Sequence, residues 1–294
     1  MNNLPAIVDL TSKSIVGFLQ SGGNAQYMAV TPGGSRAYIT EPFDQSVAVI
    51  DFASDTRVAT IPMPGIPFHV VLQNDGSRAY VGVLNTVQVI DTGTNTVISQ
   101  IALPATSYSL AVSRTLPRLY VGTPGSIFVI DTTTDSIVSS IPVGNLIAVA
   151  IVPSPDGSRL YILGRDDANA IAGYLITADL SLGQVTGSIP LGIYPFDLAV
   201  TPDGARIYAS FQGPINAFTG TLIVVDLASS SIIGTVPLPG YAGRVAIGPG
   251  GSEVYVAVNE PLANVVDTIS VTTLTITARI TGFWGGAHDL VFLP

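Results

Sequence analysis

The stretch Phe68-His69-Val70-Val71-Leu72-Gln73-Asn74-Asp75-Gly76-Ser77-Arg78-Ala79-Tyr80-Val81-Gly82-Val83, continued by Thr86–Asp91 and Thr96–Ile101, decides the fold. Phe68–Leu72 is a short apolar run, and Gln73-Asn74-Asp75-Gly76 carries the Asp-Gly step of a tight turn. Arg78–Val83 alternates as a half-buried strand does, Thr86–Asp91 does so again, and Thr96–Ile101 follows a threonine-rich turn. Four antiparallel strands, A to D, account for the whole stretch.

The unit recurs every 40 to 47 residues. One register mark is a tyrosine in an apolar run, at Tyr38, Tyr80, Tyr120, Tyr161, Tyr208 and Tyr255. The other is an acid closing an aliphatic run, at Asp9, Asp51, Asp91, Asp131, Asp179 and Asp226, with Ser270 in its place in the seventh copy. These acids sit where C–D turns need an acceptor for backbone N–H groups, so they are turn residues and not a carboxylate array. The A–B turn returns as Pro32-Gly33-Gly34-Ser35-Arg36, Pro155-Asp156-Gly157-Ser158-Arg159, Pro202-Asp203-Gly204-Ala205-Arg206 and Pro249-Gly250-Gly251-Ser252-Glu253.

A four-stranded sheet with two apolar faces buries both only by stacking on its neighbours, and a closed ring leaves no face over. Seven C strands in 294 residues average about 42 residues per copy. A β-solenoid would have shorter coils without hairpin punctuation. The expectation is one domain over residues 1–294, an all-β, seven-bladed β-propeller of four-stranded antiparallel blades. Strands C and D at the start (Ala6–Asp9, Ser14–Leu19) and strand A at the end (His288–Leu293) would share the closing blade. Its strand B is missing. Direct pairing of A with C, a trimmed chain, or a strand from another molecule would each account for that.

The units resemble the YVTN-type repeat of seven-bladed propellers in archaeal surface-layer and bacterial secreted proteins. The residues that carry the resemblance are Val200-Thr201-Pro202-Asp203-Gly204-Ala205-Arg206-Ile207-Tyr208 and Val87-Gln88-Val89-Ile90-Asp91-Thr92. The tetrad itself appears only as variants, Tyr38-Ile39-Thr40-Glu41 and Tyr120-Val121-Gly122-Thr123. The resemblance implies a secreted or cell-surface setting. It does not select a function, because such relatives include surface proteins, lactonases and electron-transfer subunits.

Composition narrows the partners. The chain is 47% apolar and 11% charged, with a net charge of −9, so it lacks the basic stripe that nucleic acids or anionic membranes require. No run of about 18 apolar residues is present for a membrane-spanning helix. Strand-like sequence begins near Leu4, so no signal peptide is visible, and residues 1–294 are equally compatible with the mature part of a longer secreted precursor. With no cysteine there is no disulfide, thiolate metal site or cysteine nucleophile. A monomer is expected, with a strand-exchanged oligomer as the alternative.

Function is read from where the copies differ. A–B and C–D turns share one rim and repeat Gly, Asp, Ser, Thr and Arg. B–C and D–A connections share the other, which holds both histidines, the only tryptophan and the inserts Arg165–Gly173, Gln212–Gly220 and Asn259–Asp267. Long or aromatic loops on a rigid scaffold mark binding. Aligned at the entrance to strand A are Tyr27, His69, Ser109, Ala150, Asp197, Arg244 and Asp289, within a collar of Tyr108, Phe196, Tyr241, Trp284 and His288. Converging polar groups in an aromatic collar describe a ligand pocket.

The reading is a scaffold that takes a small molecule, glycan or protein segment at this channel mouth. The plainer alternative for any one residue is a charge chain through Asp197, Arg244 and Asp289, or a histidine capping a backbone group. The enzymatic alternative is a lactonase-like hydrolase or a lyase, with His69, His288, Asp289, Asp197 and Tyr27 as acid–base groups. Ser109 beside His69 is the one pair that register makes adjacent for nucleophilic chemistry. Asp44, Asp166, Asp167, Glu260 and Asp267 on B–C loops offer oxygen ligands that suit Ca²⁺ or Mg²⁺, but no tight acidic motif, and no metal site is assigned. On this reading, alanine at His69 or Trp284 would weaken binding and leave the melting temperature nearly unchanged.

Overall fold

The computed structural model describes residues 5–19, 21, 25–168, 171–214, 217–283 and 289–292, and it is all strand and turn over that span. β1 (Ala6–Asp9) and β2 (Ser14–Phe18) form a two-stranded hairpin. One four-stranded meander contains β3 (Met28–Val30), β4 (Arg36–Glu41), β5 (Ser46–Asp51) and β6 (Thr56–Pro62). The next contains β7 (Pro67–Leu72), β8 (Arg78–Val83), β9 (Thr86–Asp91) and β10 (Thr96–Ala102). A six-stranded sheet follows, with β11 (Ser109–Val112), β12 (Arg118–Asp131), β13 (Ser136–Pro153), β14 (Arg159–Asp166), β15 (Ala172–Asp179) and β16 (Gln184–Ile193). Two further meanders are β17 (Pro195–Val200), β18 (Arg206–Gln212), β19 (Gly220–Asp226), β20 (Ser231–Leu238), and β21 (Tyr241–Ile247), β22 (Glu253–Asn259), β23 (Asn264–Ser270), β24 (Ile276–Phe283).

Seven separate four-stranded blades are therefore not formed. The described residues make five sheets of four or more strands and one of only two. Two physical causes explain the difference. β12 continues as strand across Gly122–Gly125 and β13 across Val143–Leu146. Gly125 (φ 79°) and Gly144 (φ 70°) are left-handed and the ladder shifts register between Pro124 and Ser126, so these connections bend without leaving the sheet and two repeats join in one. The described part of the expected closing strand A, residues 289–292, is also not a strand and adds no ladder to β1. They close the ring by packing instead. Leu290 and Phe292 join Val8, Leu10, Ile15 and Phe283 around Tyr255 and Ile280, and Phe292 meets the Tyr255 ring edge-on at 5.3 Å.

Turn chemistry explains why the units fold alike. In A–B turns a glycine takes the left-handed conformation that a side chain resists, as at Gly76 (φ 73°). In the C–D turns the acids behave as expected. Asp51 Oδ1 accepts from the Ser54 N–H at 2.9 Å, Asp91 Oδ1 from the Thr94 N–H at 2.8 Å and Asp226 Oδ1 from the Ser229 N–H at 2.8 Å. Hydrogen bonds from Thr133 hold the Asp131 carboxyl down at about 2. All seven C–D hairpins also carry a register shift that leaves one extra residue on strand D, among them Val16, Val58, Ile98, Val138 and Ile233.

The tyrosine register mark fills the space between sheets: Tyr38, Tyr80, Tyr120 and Tyr208 are almost fully buried. The tyrosine and the arginine that opens its strand tie several units to the next unit's C–D turn. Tyr38 Oη donates to Asn95 Oδ1 at 2.6 Å, Arg78 donates to the Thr132 carbonyl at 2.9 Å and pairs with Asp135 at 3.0 Å, and Arg206 donates to the Val271 carbonyl at 2.9 Å. The same joint closes the ring with its charges reversed. Lys13, in the β1–β2 turn, donates to Glu253 Oε2 at 2.6 Å and reaches the Tyr255 hydroxyl. Lys13 is the only lysine, and Glu253 stands where β4, β8, β12, β14 and β18 all begin with arginine.

Candidate functional site

The first strand of each four-stranded sheet is an edge strand, and β3, β7, β17 and β21 meet around the axis. Three of these strands are bulged where they enter the sheet. Pairing skips Phe68 and His69 on β7, Phe196 on β17, and Gly243 and Arg244 on β21. A bulge re-aims its side chain, so residues that a regular strand would point between sheets turn towards the axis.

Arg244 is the hub. Its Nη1 donates to Asp197 Oδ1 at 2.9 Å, its Nη2 lies 2.5 Å from His69 Nε2, and its guanidinium carbon sits 4.8 Å from the centre of the Tyr27 ring. Tyr27 and His69 pack ring on ring at 4.2 Å. Asp197 is buried, and its second oxygen accepts the Val245 N–H at 3.0 Å. Asp289 comes from the terminal segment. Its Oδ2 accepts the Met28 N–H at 2.8 Å, its Oδ1 accepts the Leu290 N–H at 2.9 Å, and that Oδ1 lies 3.7 Å from Arg244 Nε. That last distance suits an ion pair but not a hydrogen bond, and Arg244 Nε is buried with no partner among the described residues.

Electrostatics follow from this geometry. A guanidinium only donates, so His69 Nε2 accepts and the imidazole is neutral with its proton on Nδ1. Burial, reinforced by the Arg244 charge, holds His69 well below its usual range. Burial also pushes the Asp289 carboxyl up to about 6, against the pull of Arg244. Asp197 and Asp289 keep Arg244 charged despite its own burial.

A raised carboxyl binds its proton more tightly folded than unfolded, so the folded state loses stability as pH rises from about 4 through 6. Asp289→Asn, which keeps an acceptor for Met28, is expected to remove that slope. Unfolding free energies of the two proteins across pH 4 to 7 should diverge by up to about 3 kcal/mol, the native chain weakening relative to the variant as pH rises. Parallel curves would mean that Asp289 is not desolvated.

The structure thus brings Tyr27, His69, Asp197, Arg244 and Asp289 into one connected cluster. Ser109 is not part of it: the hydroxyl is buried and donates to the Ala148 carbonyl at 2.7 Å, which removes it as a partner for His69. Tyr108 is exposed, Phe196 flanks Asp197, and Tyr241 packs on Phe218 at 5.1 Å. Trp284 and His288 lie outside the described residues.

The expectation that His69→Ala is silent for stability is corrected, since alanine would strip Arg244 Nη2 of its acceptor. The acids weighed for a cation are mostly engaged. Asp267 is a fully buried residue of β23, gripped by Arg279 at 2.8 and 2.9 Å, and Glu260 and Asp167 pair with Arg279 and Arg165. Among the described residues no three His, Asp or Glu side chains gather as metal ligands. Two of the inserts are also shorter than their sequence suggests, because β14 and β15 take both ends of Arg165–Gly173 and β23 takes the end of Asn259–Asp267 from Asn264 on.

No family model matches the chain, and no curated protein matches it. Solved structures do. A chain of hydrazine synthase from Kuenenia stuttgartiensis superposes with a TM-score of 0.77 at 21% identity, over 83% of this chain and 76% of that one. The fold is a β-propeller. At such identity the likeness shows the architecture alone, and 1592 solved chains resemble this one, so the propeller does not select a function.

Proposed function

We propose that this propeller is a binding protein that takes its ligand at the axial mouth on the rim of the D–A and B–C connections. The observation that carries the reading is the convergence of Tyr27, His69, Asp197, Arg244 and Asp289, from four sheet edges and the terminal segment, on one point. Residues with only a surface role have no reason to meet through three strand bulges. The floor suits hydrogen-bonding ligands more than anions, because two carboxylates already occupy the single guanidinium.

The catalytic alternative has one observation in its favour, the Asp289 carboxyl near 6, where a general acid or base works at neutral pH. Against it, His69 bonds to Arg244 and not to an acid, so no orienting carboxylate prepares the imidazole as a base. The likeness to hydrazine synthase supports the fold and transfers no chemistry.

The chain has two histidines, so imidazole resonances report the mouth with little overlap. Titration with sets of sugars, amino acids and short peptides is expected to shift the His69 signals. His69→Gln, which keeps an acceptor for Arg244, should weaken those hits. The competing location is a groove of about 560 Å³ on the opposite rim, lined by Thr201, Asp203, Arg206, Asp226 and Pro249. Hits that leave His69 unshifted and map to that groove would overturn the assignment.

A further inference from the structure

The rim around the mouth carries large apolar side chains at its outermost points. Leu262, in the β22–β23 turn, is fully exposed, and Phe43, in the β4–β5 turn, is 82% exposed. Leu84 and Phe218 stand on other B–C connections, Ile66 on a D–A connection and Ile193 at the end of β16, all exposed. The opposite rim solves the same turn problem mainly with glycine, aspartate, serine and threonine.

Folding does not account for this choice. Leu84 has φ 50°, in the left-handed region where glycine or asparagine is easier and a bulky side chain is strained, and it is exposed. A strained backbone carrying an exposed apolar side chain gains little in the isolated chain, so the gain lies in something that covers it.

The charges beside the crown describe the cover. Each arginine there already has an acid: Arg57 has Glu41, Arg165 has Asp167, and Arg279 has Asp267 and Glu260. Among the described residues Asp44 and Asp166 have no cation. The face is therefore apolar at its tips and negative between them. A second copy would oppose like charges, and an anionic membrane is repelled by a chain of net charge −9. A small molecule seated in the mouth would not touch tips as exposed as Leu262.

We propose that the crown docks a protein partner whose contact face is apolar and ringed by lysine or arginine. This rests on reading the rim as a binding face, and it adds that the occupant is a protein surface spanning several loops. Phe43 and Leu262 are the anchors, as buried aromatic and aliphatic side chains usually are at such contacts.

The test uses two short dye-labelled peptides, one of alternating leucine and lysine, the other of alternating leucine and glutamate, followed by fluorescence anisotropy on the whole chain. The leucine–lysine peptide is expected to bind, more weakly as salt rises, and at least about tenfold more weakly to the Phe43→Ser, Leu262→Ser double variant. Leu182→Ser, in a C–D turn of the opposite rim, should bind as the native chain does. The proposal is overturned if neither peptide binds, if both bind alike, or if the double variant binds as the native chain does. It is equally overturned if neutral lipid vesicles, or self-association in sedimentation, are what depend on Phe43 and Leu262. In each of those cases His69-centred hits at the mouth can persist, which separates this failure from failure of the binding reading itself.

Discussion

Arg244→Ala is expected to lower stability by about 3–5 kcal/mol, the largest effect of any single change at the axis. The side chain holds together residues from three other sheet edges or segments: Asp197, His69 and Asp289. Its removal leaves the Asp197 carboxylate, only 7% exposed, with the Val245 N–H as its one partner among the described residues. A buried charge stripped of its counterion costs far more than the pair contributes, because desolvation remains when attraction is gone. For a chain of this length the melting temperature should fall by roughly 6–10 °C. Adding Asp197→Asn should recover much of the loss, since the amide carries no charge to strand. A melting temperature unmoved by Arg244→Ala would show that water reaches Asp197 freely.

The second large effect concerns the ring joint. Lys13→Glu alone and Glu253→Lys alone each place like charges where a close ion pair stands, next to the Tyr255 hydroxyl. Each is expected to cost about 1–3 kcal/mol, and the double exchange should restore most of it. Denaturant unfolding of all four proteins completes the cycle. A double exchange no more stable than the worse single variant would mean that the two residues do not act on one another. The reversed polarity gives the joint its selectivity. Lys13 meets repulsion from the arginines that open the other B strands, so the amino-terminal hairpin has one favourable seat.

Strand positions were legible from the sequence because period-2 alternation and turn residues report directly on which backbone groups pair and which face is buried. Arg78–Val83 and Thr86–Asp91 coincide with β8 and β9. Sheet boundaries were not legible, because whether Gly122–Gly125 ends a strand or bends within one depends on what packs against it. Gly122 shows the dependence: a side chain there would collide with the Ser109 hydroxyl and with Ala148, a contact between adjacent repeats. The site was half legible. Register alignment placed Tyr27, His69, Asp197, Arg244 and Asp289 at equivalent positions, but not the bulges that turn His69 and Arg244 inward, nor the preference of His69 for Arg244. It also put Ser109 in the collar, where the Ala148 carbonyl removes it. The Lys13–Glu253 joint had a visible signal, a solitary lysine and a solitary departure from arginine, which only the ring geometry connects.

The displaced residue on every outermost strand bears on solubility. Those strands carry few charges and expose valine and isoleucine along the circumference, which in a flat ribbon would invite a neighbouring molecule to zip on and extend it. A kink at the same height in each hairpin spoils the donor–acceptor spacing that such templating needs. The kinks thus oppose edge-to-edge templating in place of the lysine fringe that many β proteins rely on.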